Sequence, residues 1–225
     1  MSFQEILDFF LHLDKHLVEL INSYGGWIYG ILFAIVFCET GLVITPFLPG
    51  DSLLFAVGII SARPNSGLNV WLVSLTLVSA ALIGDNVNYF LGNKLGRRLF
   101  KSETSKIFNR KHLDRTHFFF EKYGAKAIII GRFVPIVRTF GPFVAGMGAM
   151  NYSRFIGYSI AAALLWVTVC VGAGYLFGGL PFVRDNFTVA LLAMIAVSLI
   201  PMIIEVVRHM RMSRKEREEK PGLLP

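Results

Sequence analysis

Four ionisable residues stand in stretches that are otherwise apolar. Glu39 and Asp51 flank a Pro/Gly-containing break in one hydrophobic segment, and Arg132 and Arg138 flank a similar break in another. An ionisable group at mid-membrane costs about 3 kcal/mol even on insertion scales, so such groups are functional candidates by default. Two guanidinium groups near the ends of half-helices suit a phosphate. They match it bidentately and keep their charge, and the backbone N–H groups freed at a helix break add donors. A carboxyl group withdrawn from water favours its neutral form, so Glu39 or Asp51 could carry a proton. The four together have the chemistry of a proton-coupled carrier. A plainer reading is a pair of buried salt bridges that hold the two segments together. A mixed one has the same residues paired at rest and exchanging partners during a cycle. Gly50, Pro135 and Pro142 belong to the breaks themselves. Asp51, in Pro49-Gly50-Asp51-Ser52, could also N-cap the second half-helix, worth about 1 kcal/mol. Asp85 is a supporting candidate, about two turns from the membrane edge. It either pairs with an arginine of the second segment or meets water.

The elements that must position these groups are membrane elements. Of 225 residues, 54% are apolar, 13% aromatic and only 16% charged, and the mean hydropathy is +0.58. A soluble domain is roughly a quarter charged. The composition excludes a disordered chain, a secreted disulfide scaffold and nearly all soluble enzymes. The net charge of +7 is unevenly placed. Lys94 to Lys126 holds ten Lys/Arg against three acids, Glu205 to Lys220 six against four, and the first 23 residues one against four. The positive-inside rule puts the central loop and the C-terminal tail in the cytoplasm. Orientation alone accounts for the basic excess, so no nucleic-acid partner is implied.

Nothing in the sequence calls for a cofactor or a metal. Cys38 and Cys170 lie inside apolar runs as packing residues. There is no Gly-x-Ser-x-Gly, no His-Glu-x-x-His and no Gly-x-x-x-x-Gly-Lys, and no His lies near the arginine-bearing break, so no enzyme is expected. The acidic, amphipathic N-terminus is unlike a cleavable signal.

Residues 3–21 read as an interfacial amphipathic helix, with Phe3, Ile6, Leu7, Phe10, Leu13, Leu17 and Leu20 on one face. Residues 26–60 contain two apolar runs too short to span, separated by Glu39-Thr40-Gly41, Pro46 and Pro49-Gly50-Asp51. They read as a broken, re-entrant hairpin, which must be buried in protein or line a cavity. Residues 68–92 form a full span. Residues 93–126 are the basic loop, with a short amphipathic helix around 111–122. Residues 125–149 repeat the broken pattern, and 152–179 and 186–208 are spans, followed by the tail 209–225. Tyr24-Gly25 precedes the first broken segment and Tyr123-Gly124 the second. Pro/Gly-interrupted segments at matching positions point to a transporter site built from inverted repeats. With the basic loop inside, the two hairpins open on opposite faces. If the first broken segment spans instead, the N-terminus moves to the cytoplasm. The expected fold is therefore an all-α integral membrane domain with two opposed re-entrant hairpins and about three full transmembrane helices.

The motifs resemble those of the DedA family, part of the superfamily called VTT or SNARE-associated. Phe37-Cys38-Glu39-Thr40-Gly41, Pro46-Phe47-Leu48-Pro49-Gly50-Asp51-Ser52 and Gly84-Asp85-Asn86-x-x-Tyr89-x-x-Gly92 match in the first half. Gly131-Arg132-Phe133-x-Pro135-x-x-Arg138-Thr139-x-x-Pro142-x-x-Ala145-Gly146 matches in the second. The resemblance covers about residues 5–210. It implies a multi-pass bacterial inner-membrane protein that translocates lipids, with undecaprenyl phosphate and phospholipids as cargo, links to proton motive force and envelope integrity, and required acids and arginines at Glu39, Asp51, Arg132 and Arg138. The leading expectation is a lipid flippase. Arg132 and Arg138 would bind the phosphate, and Glu39 and Asp51 would bind protons or exchange salt bridges. The alternatives are a proton-coupled antiporter for small cations and a non-transporting scaffold for envelope proteins. Oligomer formation stays open.

Overall fold

The computed structural model describes residues 19–21, 23–41, 50–64, 66–99, 117–118, 120–121, 123–181, 183, 186–194 and 196. Most of the N-terminal amphipathic helix, most of the basic loop, most of the 186–208 span and the tail therefore lie outside the described residues. All regular structure within them is helical.

Helix α1 covers Ile28–Gly41 and α2 covers Gly50–Ser61. At 1.5 Å per residue they reach about 21 and 18 Å, short of a roughly 30 Å hydrocarbon layer. Almost all of α2 is buried, from Ser52 through Ile60, as expected of a helix apolar all round. Helix α3, Val70–Leu99, and helix α6, Tyr152–Gly178, are the two described helices long and apolar enough to cross a membrane. Helix α3 runs past the expected end of its span at residue 92. Lys94 and the two arginines after it, placed in the basic loop by composition, lie on its last helical turns. Good helix formers continue a helix into water, so composition marks where the apolar run stops rather than where the helix does.

The first pair of short helices runs in opposite directions along α3. The hydroxyl of Tyr29, at the start of α1, accepts a hydrogen bond of 3.0 Å from the Asn69 N–H, just before α3. At its other end Gly41 packs on the Gly84 backbone near the midpoint of α3. Helix α2 then returns, and its end at Ser61 is joined by a short turn to Val70.

The second broken segment is built from α4, Ala127–Gly131, and α5, Pro135–Val144. Proline disfavours the helical conformation in the residue before it. Val134 is accordingly extended (φ −114°, ψ 108°), and this stops α4 and restarts the chain as α5 with Pro135 in the first turn. Pro142 has no N–H to continue the ladder, and the chain loosens into a π-type turn over Ala145–Ala149 that Gly148 ends at φ +121°. Asn151 then caps α6 by accepting from the Ser153 N–H.

The internal repeat is visible in the backbone. Tyr24 (φ −108°, ψ −9°) and Tyr123 (φ −107°, ψ −7°) each precede a glycine with positive φ, Gly25 at +51° and Gly124 at +57°. A one-turn 3₁₀ helix follows in both places. The repeats interlock. Helix α6, from the second repeat, crosses α2 of the first, with Gly58 against the Val171 carbonyl and Gly174 against that of Phe55. Helix α3, from the first, crosses α5 and its π turn, with Gly92 against the Phe143 carbonyl and Gly146 against that of Tyr89. Small residues allow such approach, and between membrane helices packing must supply what the hydrophobic effect does not.

A methyl group at these crossings has nowhere to go, whereas Gly157 and Gly172 face open space. Gly58→Ala and Gly174→Ala are expected to destabilise the detergent-solubilised protein by about 1–3 kcal/mol. Gly157→Ala should be neutral or slightly stabilising, because it raises helix propensity without a clash. Thermal melts followed by intrinsic fluorescence check both.

Candidate functional site

The deep ends of both broken segments meet at the midpoints of α3 and α6. Glu39 is in the last turn of α1 and Asp51 in the first turn of α2. Arg132 stands in the break between α4 and α5, and Arg138 in the first turn of α5, its N–H bonded to the Val134 carbonyl at 2.8 Å. Asp85 lies midway along α3, and Ser159 and Trp166 lie in the central part of α6.

The structure brings all four expected residues together and adds Asp85. Arg138 ties the two acids of the first hairpin to the second. Its Nη1 donates to Asp51 Oδ1 at 2.6 Å, and its Nη2 is paired with Glu39 Oε1. Arg132 Nη1 reaches both oxygens of Asp85, at 2.9 and 2.7 Å, and Ser159 Oγ donates to Asp85 Oδ2 at 2.6 Å. Of the two readings of Asp85, the arginine partner is therefore the correct one, and Asp85 is fully buried. Glu39, Arg132 and Arg138 are buried as well, whereas the Asp51 side chain keeps 16% of its surface exposed. Asp51 engages Arg138 and Trp166 rather than acting as a simple helix cap.

Gly50 has a steric reason to be glycine. A side chain there would collide with the Glu39 carboxylate, which rests against the first residue of α2. The carboxylate thus lies at the positive end of a helix dipole. Pro135 and Pro142 act through the backbone, fixing where α5 starts and loosens.

Three residues that sequence reasoning passed over complete the site. The Trp166 indole N–H donates to Asp51 Oδ1 at 2.7 Å. Its ring lies beneath both guanidinium groups, with Cζ at 4.9 Å for Arg132 and 5.2 Å for Arg138, within cation–π range. Asn88, wholly buried, donates through Nδ2 to the carbonyls of Thr40 at 3.2 Å and Thr139 at 2.7 Å, one in each broken segment. Ser159 is the third. Trp166 was detectable, because tryptophan favours the membrane edges and this one sits in the middle of a span.

Four buried atoms of the cluster lack a hydrogen-bond partner: Glu39 Oε2, Asn88 Oδ1, and Nε and Nη2 of Arg132. Nε and Nη2 form the side-on edge of a guanidinium, the edge that grips a carboxylate or phosphate with two parallel bonds. No group of three or more metal-binding side chains occurs among the described residues.

Residues 48–176 match the VTT domain. The chain is 53% identical to Protein DedA of Escherichia coli over 206 residues, covering 92% of this chain and 94% of the relative. An uncharacterized membrane protein of Mycobacterium tuberculosis, Rv0364, is 39% identical over 89% of this chain and 88% of its own. The inner membrane protein YqjA of Escherichia coli is 39% identical over 71% of each. No solved structure matches.

Breaking one side of a buried ion pair leaves an uncompensated charge, at a cost of about 3–5 kcal/mol. Arg138→Met is expected to cost about that much, because two acids lose their partner together. Adding Glu39→Gln and Asp51→Asn should recover most of the loss, since a neutral cluster needs no counter-ion. Thermal stability in detergent of the single and triple variants reads the difference.

Proposed function

The chain belongs to the VTT-domain family of membrane proteins that includes DedA, and we propose that it carries a phosphate-bearing lipid between the leaflets of a bacterial inner membrane. The observation that supports this reading is the bare side-on edge of Arg132, held at mid-depth in a cluster of two arginines and three acids. A buried guanidinium edge without acceptors costs free energy at rest, which an entering phosphate restores.

In this reading the α1–α2 and α4–α5 pairs are re-entrant hairpins opening on opposite faces. The basic loop and the C-terminus face the cytoplasm. Trp27 and Trp71, both largely exposed at the starts of α1 and α3, anchor one edge of the membrane as interfacial aromatics do. The cargo is undecaprenyl phosphate or a phospholipid. The ion pairs do two jobs. They hold each arginine against a carboxylate while no lipid is bound, and those carboxylates compete with the phosphate, so the lipid is released rather than trapped. Glu39 and Asp51 take up protons when an arginine leaves them, which couples movement to a proton gradient. The acids have only the arginines as counter-charges in the cluster, so a proton is the natural substitute.

The test is flipping of labelled undecaprenyl phosphate and labelled phosphatidylethanolamine in proteoliposomes, with and without a pH gradient. The wild-type protein should move at least one of them at a rate that depends on the gradient, and Glu39→Gln should lose that dependence. Failure to move either lipid would sink the flippase reading. Proton flux that depends on added small cations, in liposomes of inert lipid, would replace it with an antiporter.

A further inference from the structure

Resting on the lipid-phosphate reading, we infer that the two arginines do different work: Arg132 is the phosphate ligand, and Arg138 is the tie that must be released for access to change. The two side chains are equally buried and lie over the same indole, so burial and cation–π contact do not separate them. Their hydrogen bonding does. Arg138 spends both terminal nitrogens on two carboxylates from two different helices, α1 and α2, and none of its nitrogens is a buried atom without a partner. Arg132 spends a single terminal nitrogen on a single carboxylate, donating from Nη1 to both oxygens of Asp85. That leaves Nε and Nη2 bare and pointing the same way.

The consequences follow from geometry. An oxyanion reaching Arg132 can add two charge-assisted bonds while the bond to Asp85 stays in place. Ser159 also donates to Asp85, so the ligand arginine stays oriented on α3 and α6. An oxyanion reaching Arg138 must first displace Glu39 or Asp51. Among the described residues, Arg138 is also the ion-pair link from the second broken segment to the first, because Arg132 pairs with the span α3. Its release therefore frees one hairpin from the other, which the release of Arg132 does not do. Trp166 lies under both guanidinium groups and donates to Asp51, so a ring already in place steadies Arg138 when its carboxylates leave.

Lysine separates the two roles. It keeps the positive charge and can hold a carboxylate, but it has no side-on edge. Binding is read by calorimetry on the full-length protein in detergent, titrated with dihexanoylphosphatidylglycerol and, separately, with inorganic phosphate. Transport is read in proteoliposomes. Arg132→Lys should weaken binding of the short-chain phospholipid by about 10- to 100-fold, the loss of charge-assisted bonds. Arg138→Lys should bind it nearly as the wild type does and lose transport. If Arg132→Lys does not fold, Arg132→Gln with Asp85→Asn removes the pair without stranding a charge and should likewise lose binding. Binding of inorganic phosphate at the same arginine would identify a soluble oxyanion rather than a headgroup as the ligand. Equal loss of binding in the two lysine variants overturns the division of labour while leaving the lipid-phosphate reading intact. No binding of either probe by the wild-type protein overturns both.

Discussion

The fold is organised around the cost of holding five charged side chains at mid-depth. Each would be expelled to water if the chain could manage it, because an unpaired charge in an apolar interior costs several kcal/mol. The chain brings them to one place instead. The acids come from α1, α2 and α3, and the arginines come from the break before α5 and from α5 itself. Both breaks are needed for this. An unbroken α1–α2 helix would place Glu39 and Asp51 on one continuous rod. The interruption lets Glu39 finish one helix and Asp51 begin another, so that both can face Arg138.

Two kinds of contact join the repeats, and they differ in how they can fail. At the glycine crossings, backbone lies on backbone, and such contacts are made or lost as whole helix faces. The ion pairs at the tips are few and specific, and a proton or a competing anion can satisfy either partner. Each long helix grips the returning half of the opposite hairpin. Helix α6 holds α2, and α3 holds α5. A change at the tips therefore leaves each hairpin seated on the span of the other repeat. Asn88 stands between these two kinds of contact, one amide spanning carbonyls from both broken segments.

Much of this was legible in the sequence, for a physical reason. In an apolar chain charge is rare, so position alone identified Glu39, Asp51, Arg132 and Arg138. Proline and glycine identified the breaks, because they act locally. The repeat was legible from two Tyr-Gly pairs, and the backbone at both has the same conformation. Pairing was not legible. Sequence gave Asp85 no preference between an arginine and water, and the choice was made by α6, which closes over it with Ser159. Asn88 looks ordinary beside its neighbours, and only long-range packing gives it, and Trp166, partners in other helices. Helix α3 continues past residue 92 because hydropathy reports the membrane, whereas the helix is set by backbone bonding that continues beyond it.

The cluster is also informative for what it does not optimise. A core selected for stability alone would replace these ion pairs with packed apolar side chains, a change that is often neutral or favourable. It would not leave four buried polar atoms without partners, each costing about 1–3 kcal/mol. Strain of this kind concentrates where a structure must do something besides fold. The imbalance has a direction. The unpartnered atoms include a donor pair on a cation of the second broken segment and a single oxygen on an anion of the first. Two residues of opposite charge, each only partly satisfied, cannot both be completed by the same small neutral molecule as strongly as by ions. Ions of opposite charge are the stronger completion, because a buried charge gains more from a counter-ion than from a neutral dipole.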